Sequence, residues 1–363
     1  MPELYVGLMS GTSLDGVDAA VADFSGVGIR LLHRHYQPFQ PKLRASLLEL
    51  QDEGRDELHR AAVLANQLSH AYAAAVRTLL AQAGIEPMQI AAIGCHGQTV
   101  RHQPDAGYTL QLVNGALLTE LSGITVVCDF RSRDIAAGGQ GAPLVPAFHR
   151  ELFHDANRHR AIVNIGGIAN VTDLPAGGGV TGFDCGPGNL LLDAWIMENS
   201  GKSFDQDGLW AAQGKVLPAL LEALLAHAFF SLPPPKSTGR ETFNLAWLRR
   251  TRSGTEAAVD VQATLLELTA AGISRAISEY CNGAAEIFVC GGGARNQALV
   301  SRLRELLPGM KLDVTDALGV DAEWLEALAF AWLARQTLAG KPGNLPGVTG
   351  ARGPRVLGAI YPA

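Results

Sequence analysis

The sequence predicts an α/β protein of two domains, and three observations carry that expectation. Short apolar runs end again and again in glycine-rich turns, amphipathic helical stripes alternate with those runs, and a turn of the same kind opens each half of the chain. At 363 residues the chain also exceeds what one hydrophobic core comfortably serves, while 47% apolar residues against 18% charged ones supply ample core material. We place the domains at 1–140 and 141–363, with the C-terminal segment left free to pack back on the first. Two such domains offer a cleft for a ligand.

The elements follow in order. Leu4 to Met9 reads as a buried strand running into Ser10-Gly11-Thr12-Ser13-Leu14-Asp15-Gly16-Val17-Asp18, after which Ala19 to Phe24 and Ile29 to Phe39 are extended again. That is strand, turn and returning strand; a Walker or Rossmann loop would instead open a helix, and neither glycine signature is present. Between Arg55 and Ala83 apolar residues recur at 61, 64, 68, 72, 75, 76 and 79, a helical stripe closed by Gly84. Ile90 to Gly94 is a strand leading into Cys95-His96-Gly97-Gln98-Thr99, and Ile124 to Cys128 is another that ends at Asp129-Phe130-Arg131. Ala136 to Pro146 is rich in Gly and Pro and marks the domain boundary. The pattern then returns: Arg160 to Thr172 is strand, Gly166-Gly167 turn and strand, and a loop from Val180 to Asn189 leads to a helix near Leu190 to Asn199. Glu286 to Cys290 delivers Gly291-Gly292-Gly293 to a helix starting near Asn296, and Asp321 to Ala334 is helical. The repeated opening implies a weak internal duplication.

Composition narrows the function. Lys and Arg number 29 against 35 Asp and Glu, and a net charge of −6 argues against a nucleic-acid partner, whose contact surface is normally basic. The 41 glycines, about 11% against a usual ~7%, cluster at turns rather than repeating as in a fibre or filling a linker. Five cysteines at 95, 128, 185, 281 and 290 form no zinc spacing, so neither a disulfide framework nor a structural zinc is expected, and they read as small buried fillers. The N-terminus lacks a basic and apolar leader and no run of about 18 apolar residues occurs, so the expected setting is cytoplasmic and reducing, without a membrane partner.

Each candidate site has a bland alternative. The turn with Gly11, Thr12, Ser13, Asp15, Gly16 and Asp18 suits phosphate oxygens, with an Asp near a Mg²⁺ shell, or it is an ordinary hairpin tip. Gly166-Gly167 at the matching place, and Gly291-Gly292-Gly293 with Asn296 behind a strand, favour the phosphate reading and add a flat wall for adenosine. The triple glycine could equally serve close helix–strand packing. Asp184, among Gly182, Gly186 and Gly188, reads as a general base more readily than as a helix cap. His96, Gln98, Asp129 and Arg131 follow strand ends, where α/β proteins hold ligands. Arg131 and Arg133 suit a substrate carboxylate, or pair with Asp129 or Asp134. Glu326 either faces solvent or bonds sugar hydroxyls.

Taken together, GLMSGTSLDGVD at 7–18, CHGQT at 95–99, DFR at 129–131, GGQGAPLVP at 138–146, NIGGIAN at 164–170, GFDCGPGN at 182–189, CGGGARN at 290–296 and EALAFAWLA at 326–334 resemble the anhydro-N-acetylmuramic acid kinase family. That family is a branch of the sugar kinase, Hsp70 and actin superfamily. The resemblance implies a two-domain actin-like (ribonuclease H-like) fold whose mixed five-stranded sheets, flanked by helices, close over ATP-Mg²⁺ in the cleft between domains. It implies a reaction in which water opens the 1,6-anhydro bridge of the sugar and ATP phosphorylates the released 6-oxygen, with Asp184 as general base. It also implies that Gly11 to Asp18, Leu14 and Val17 included, form the ATP phosphate loop, that the substrate is a small molecule, and that the protein is a homodimer. The wider superfamily carries an Asp before its loop glycines where Met9 and Asn164 stand here, so the metal ligand is unassigned between Asp15 and Asp18. Two rivals stand beside this: another small-molecule kinase of the superfamily, and an ATP-driven binding protein of the Hsp70 or actin kind.

Overall fold

The computed structural model describes residues 3–11, 13–26 and 28–363, and the chain divides into two units. The first comprises Met1–Phe148 and Trp324–Ala363, the second His149–Glu323. The Gly/Pro-rich stretch placed the division at 140/141; the chain changes unit eight residues later, inside the helix Val145–Phe153, and the residues from Trp324 onward belong to the first unit.

Before the crossing come β1 (Leu4–Met9), β2 (Gly16–Asp23), β3 (Arg30–Pro38), β4 (Ile90–Cys95), β5 (Gln98–Gln103), β6 (Tyr108–Leu112) and β7 (Val126–Cys128). The second unit holds β8 (Arg160–Ile165), β9 (Ile168–Leu174), β10 (Thr181–Pro187), β11 (Glu286–Cys290) and β12 (Lys311–Val314), and β13 (Ala359–Tyr361) returns to the first. The first sheet has the order β13-β7-β4-β1-β2-β3 and the second β10-β9-β8-β11-β12. In each, three strands meander antiparallel and two more join parallel to the first of them, so β3-β2-β1-β4-β7 and β10-β9-β8-β11-β12 correspond strand for strand. The five-stranded expectation describes the second sheet; the first carries a sixth strand, because β13 pairs antiparallel with β7 and covers its edge.

The expected stripe becomes the helix Glu57–Ala83. It buries Leu64, Leu68, Tyr72, Ala75, Val76 and Leu79 against the first sheet and ends at Gly84, whose φ of 64° is the left-handed cap only glycine takes at no cost. On the other face lies the helix Leu325–Leu338, bedded directly on β1 and β4. A methyl group at Gly7 would overlap the carbonyl of Ala327, and one at Gly94 that of Phe330, so these two strand glycines let helix backbone approach sheet backbone. The second unit is built around the helix Ala258–Tyr280, buried from Val261 to Ala270 within a cluster that includes Val163, Phe183, Leu191 and Val289. Among the described residues no helix is long and apolar enough to cross a membrane.

Candidate active site

In the first unit the glycine turn joins β1 to β2. Leu14 N–H donates to Gly11 O at 3.4 Å, and Leu14 holds a left-handed φ of 56° with its side chain buried. Leu14 and Val17 spend their side chains on the core, so only their backbones are available to a ligand. Gly16 is required by packing, since a methyl there would press on Gln37 O and the Tyr36 ring, whereas at Gly11 the nearest atom would be Ser13 Oγ at 3.9 Å. Gly11 therefore leaves open space that packing does not demand. Ser13 Oγ donates to Asp15 Oδ1 at 2.6 Å; Asp15 is exposed and Asp18 half-buried on β2. Thr12 lies outside the described residues.

The end of β4 is knitted to this turn. His96 N–H donates to Leu8 O at 3.0 Å, Ser10 Oγ lies 2.8 Å from Tyr72 OH and donates to Gly97 O at 3.1 Å, and Gln98 Nε2 donates to Gly11 O at 3.1 Å. The His96 ring packs tilted against Phe330, centroids 4.8 Å apart, and accepts at Nε2 from Arg131 Nε and Nη2, at 3.2 and 3.0 Å. Burial first, and then the Arg131 charge, push the His96 pKa down to about 3, so the ring is neutral and its proton sits on Nδ1. That Nδ1 is buried without a partner, as is Gln98 Oε1. One unspent donor and one unspent acceptor, both on buried side chains, call for a group that can accept and donate, as a sugar hydroxyl does.

Arg131 also donates from Nη1 to Gly141 O at 2.8 Å. Of the two aspartates paired with it in sequence, Asp129 Oδ1 accepts from Ser132 Oγ at 2.5 Å, and Asp134 accepts from Gly141 N–H, Asn344 and Thr349. Arg133 is exposed. Glu326 stands half-buried in the first turn of the helix Leu325–Leu338, where the helix dipole favours a carboxylate.

In the second unit Asp184 is not in a loop but on β10, an edge strand. The pairing with β9 shifts register between Asp184 and Gly186, a bulge that re-aims the strand just past the carboxylate. Asp184 is 8% exposed; its N–H donates to Lys236 O at 3.1 Å and its Oδ2 accepts from Thr238 N–H at 2.9 Å. The Pro-rich segment 232–239 is thus tied to Asp184 by two bonds, one from its backbone N–H and one to its carboxylate, a partnership with no sequence signal. Asn170, which faces Asp184 in the β9–β10 register, has a buried Oδ1 without a partner, and so does Thr238 Oγ1. The Lys236 ammonium lies 4.8 Å over the Phe229 ring, and burial lowers its pKa.

The remaining glycines separate into packed and open ones. The carbonyls of the Gly166-Gly167 turn accept from Asn189 N–H at 2.8 Å and from Gly188 and Leu190 N–H at 2.9 and 3.1 Å, and a methyl at Gly188 would overlap Gly166 O. The N–H groups of Gly188, Asn189 and Leu190, at the entry to the helix Leu190–Ser200, are therefore spent on the turn. Gly291 has φ 78° and would collide with Asn164 if substituted, and Gly293 would collide with Ile165, so packing explains both. Gly292 is exposed, with no atom closer than 3.8 Å to an added methyl. The helix does not open directly on these glycines: a 3₁₀ turn over Gly292–Arg295 intervenes, and Asn296 Oδ1 caps the helix Gln297–Leu306 by accepting from Leu299 N–H at 3.0 Å. Among the described residues no group of three or more His, Cys, Asp or Glu is placed to hold a metal ion, and the five cysteines are buried thiols outside any disulfide.

Comparison with known proteins bears on what these groups serve. Residues 3–363 match the family model for anhydro-N-acetylmuramic acid kinase. Proteins of that name from Nitrosomonas europaea and Nitrosospira multiformis are 60% and 62% identical over 361 residues, covering 99% of this chain and 99% of each relative. Component A of (R)-2-hydroxyglutaryl-CoA dehydratase from Acidaminococcus fermentans shares the fold, with a TM-score of 0.51 at 14% identity over 93% of this chain and 99% of that one. On full-length identity of this order, the chain belongs to the anhydro-N-acetylmuramic acid kinase family.

Proposed function

We propose that the protein converts 1,6-anhydro-N-acetylmuramic acid, ATP and water to N-acetylmuramic acid 6-phosphate and ADP, in the cytoplasmic recycling of cell-wall sugar, and that it works as a homodimer. The observation that carries the mechanism is Asp184: a nearly buried carboxylate held at Oδ2 by Thr238 N–H and flanked by the unspent Asn170 Oδ1 and Thr238 Oγ1. Polar groups left unpaired in a buried setting suit a bound water and sugar. Asp184 takes a proton from water as the oxygen attacks the anomeric carbon; the bond from that carbon to the 6-oxygen breaks, and the 6-oxygen receives the γ-phosphoryl group.

His96, Gln98, Arg131 and Glu326 bind and orient the sugar, His96 as a neutral Nδ1–H donor and Gln98 as an acceptor. The ATP-binding groups are the backbone of residues 11–18 together with Gly166, Gly167, the Gly291–Gly293 turn and Asn296, and the open space at Gly11 and Gly292 supports this reading. Phosphoryl transfer asks chiefly for positioning and charge stabilisation. Mg²⁺ prefers oxygen ligands and retains several waters, and the exposed Asp15 carboxylate fits that demand, with Asp18 as the alternative; when bound, the ion would neutralise phosphate charge.

The test supplies the purified protein with ATP-Mg²⁺ and the anhydro sugar in ¹⁸O water under rapid quench. We expect ADP and a 6-phosphate labelled at the anomeric carbon. Absence of ADP would remove the kinase reading, and an unlabelled product would point instead to a kinase acting on an open hydroxyl. Asp184→Asn should keep nucleotide binding and lose on the order of 10²–10⁴-fold in turnover; full activity would move the base elsewhere.

A further inference from the structure

We infer that Asp134, which has no part in the chemistry above, is a positioning residue for sugar recognition: by fixing Gly141 it sets the orientation in which Arg131 and His96 meet the ligand. The inference rests on the reading of Arg131 and His96 as sugar-binding groups.

Asp134 is fully buried in the short helix Ser132–Ala136, three residues and so nearly one turn beyond Arg131. A carboxylate in such a place is costly unless donors converge on it. Three do: Oδ2 accepts from Gly141 N–H at 2.8 Å, and Oδ1 accepts from Asn344 Nδ2 at 2.6 Å and Thr349 Oγ1 at 2.8 Å. The backbone follows the same logic, because Gly139 N–H donates to Asp134 O at 2.9 Å and Gln140 N–H to Thr349 O at 2.7 Å. The glycines on either side of Gln140 answer to this arrangement. A methyl at Gly139 would overlap Asp134 Oδ2, and Gly141 takes φ 68° with Ile135 against it.

Gly141 is the link. Its N–H is clamped by Asp134 while its carbonyl accepts from Arg131 Nη1 at 2.8 Å, and Arg131 reaches His96 Nε2 through Nε and Nη2. A path of hydrogen bonds therefore runs from the segment Asn344–Thr349 through Asp134 and Gly141 to Arg131 and His96. A long arginine side chain loses rotamer freedom when it grips a ligand. Pre-ordering it on Gly141 and His96 moves that loss from binding into folding, which raises affinity without a new ligand contact. His96 orients the guanidinium as a neutral acceptor, so it does so without cancelling the positive charge. An arginine held this way suits the carboxylate of a muramic-type sugar.

The experiment uses the full-length protein with Asp134→Asn and, as a milder lesion at the same knot, Thr349→Val. For each, KM is measured separately for the anhydro sugar and for ATP, and the histidine ¹⁵N resonances are recorded at neutral pH without ligand. We expect Asp134→Asn to raise the sugar KM about tenfold with the ATP KM within twofold, Thr349→Val to act in the same direction with a smaller effect, and the His96 Nε2 resonance to move in both. Unchanged KM values with only a lower melting temperature, or a His96 resonance that stays in place, would overturn the inference and leave Asp134 a folding residue. Should Asp134→Asn not fold, Thr349→Val carries the same readouts. The resonance needs no turnover, so it decides the role of Asp134 even if the unaltered protein fails to phosphorylate the sugar, an outcome that would count against the function and not against the positioning.

Discussion

Two buried histidines show how single residues set the response of the whole protein to acid. His96 and His149 are each held neutral by burial, with pKa values pushed down to about 3, and His149 Nδ1 lies 2.8 Å from Thr172 Oγ1. In the unfolded chain both would take up a proton below about pH 6.5. Between those values the unfolded state binds more protons, so stability is present above the unfolded pKa and is lost as pH falls toward the folded one. Each can contribute a slope approaching about 1.4 kcal/mol per pH unit in that window. His149→Gln, which keeps a hydrogen-bonding group but does not titrate, should flatten the loss of stability between pH 6 and 4; denaturant melts at stepped pH with the same slope in both proteins would refute this. At this scale the sequence singled out His96, Gln98, Arg131 and Asp184 as candidates. It was silent on their partners, because Thr238, Asn170 and Gly141 owe their roles to bonds and register pairings between segments far apart in the chain or across a turn.

Elements were more legible than their contacts. The helix Glu57–Ala83 and the strands β1, β4, β8 and β11 lie where periodicity and turn residues put them. Asp184 was read as loop because Gly182, Gly186 and Gly188 stand around it. Gly182 and Gly186 are compatible with β10 only because it is an edge strand with a bulge, and sheet order is a property that one stretch of sequence does not carry. The triple glycine was read as one wall, and it proves to be two packed residues around one open one. The same distinction governs the helix Leu325–Leu338, whose carbonyls bed on Gly7 and Gly94. Gly7→Ala must push that helix and Glu326 outward, at a cost of about 1–3 kcal/mol or more. Gly84→Ala, with open space but φ 64°, should cost roughly 1 kcal/mol or less through backbone strain and the lost cap alone. Calorimetry on both variants checks the order; a Gly7→Ala protein as stable as wild type would mean that the helix floats on the sheet.

At the scale of the whole molecule, the two units differ in how they use the chain. Residues 149–323 are contiguous and contain their own sheet, central helix and core. The first unit draws on both ends, since β13 and the helix Leu325–Leu338 complete a sheet begun at Leu4. Expressed alone, residues 149–323 should give a soluble protein with a cooperative melt, and residues 1–148 should aggregate unless 324–363 are supplied. A soluble, cooperatively melting 1–148 fragment would show that the returning segment is dispensable. The duplication seen in the two sheets explains why matching glycine turns follow β1 and β8, a correspondence the sequence hinted at through its repeated openings.

The discontinuous first unit has a consequence during synthesis. Domains generally fold as units while the ribosome is still adding residues, the N-terminal one first. Here that order is inverted: the unit translated second is finished when residue 323 emerges, while the unit translated first waits for Tyr361 to reach β7. For about 200 residues of translation, at ~5–20 residues per second, the five strands β1, β2, β3, β4 and β7 exist without their sixth partner or the helix that covers them. The protein is therefore most exposed to trapping by chaperones, and to aggregation of its open β7 edge, in the seconds before its final strand is made.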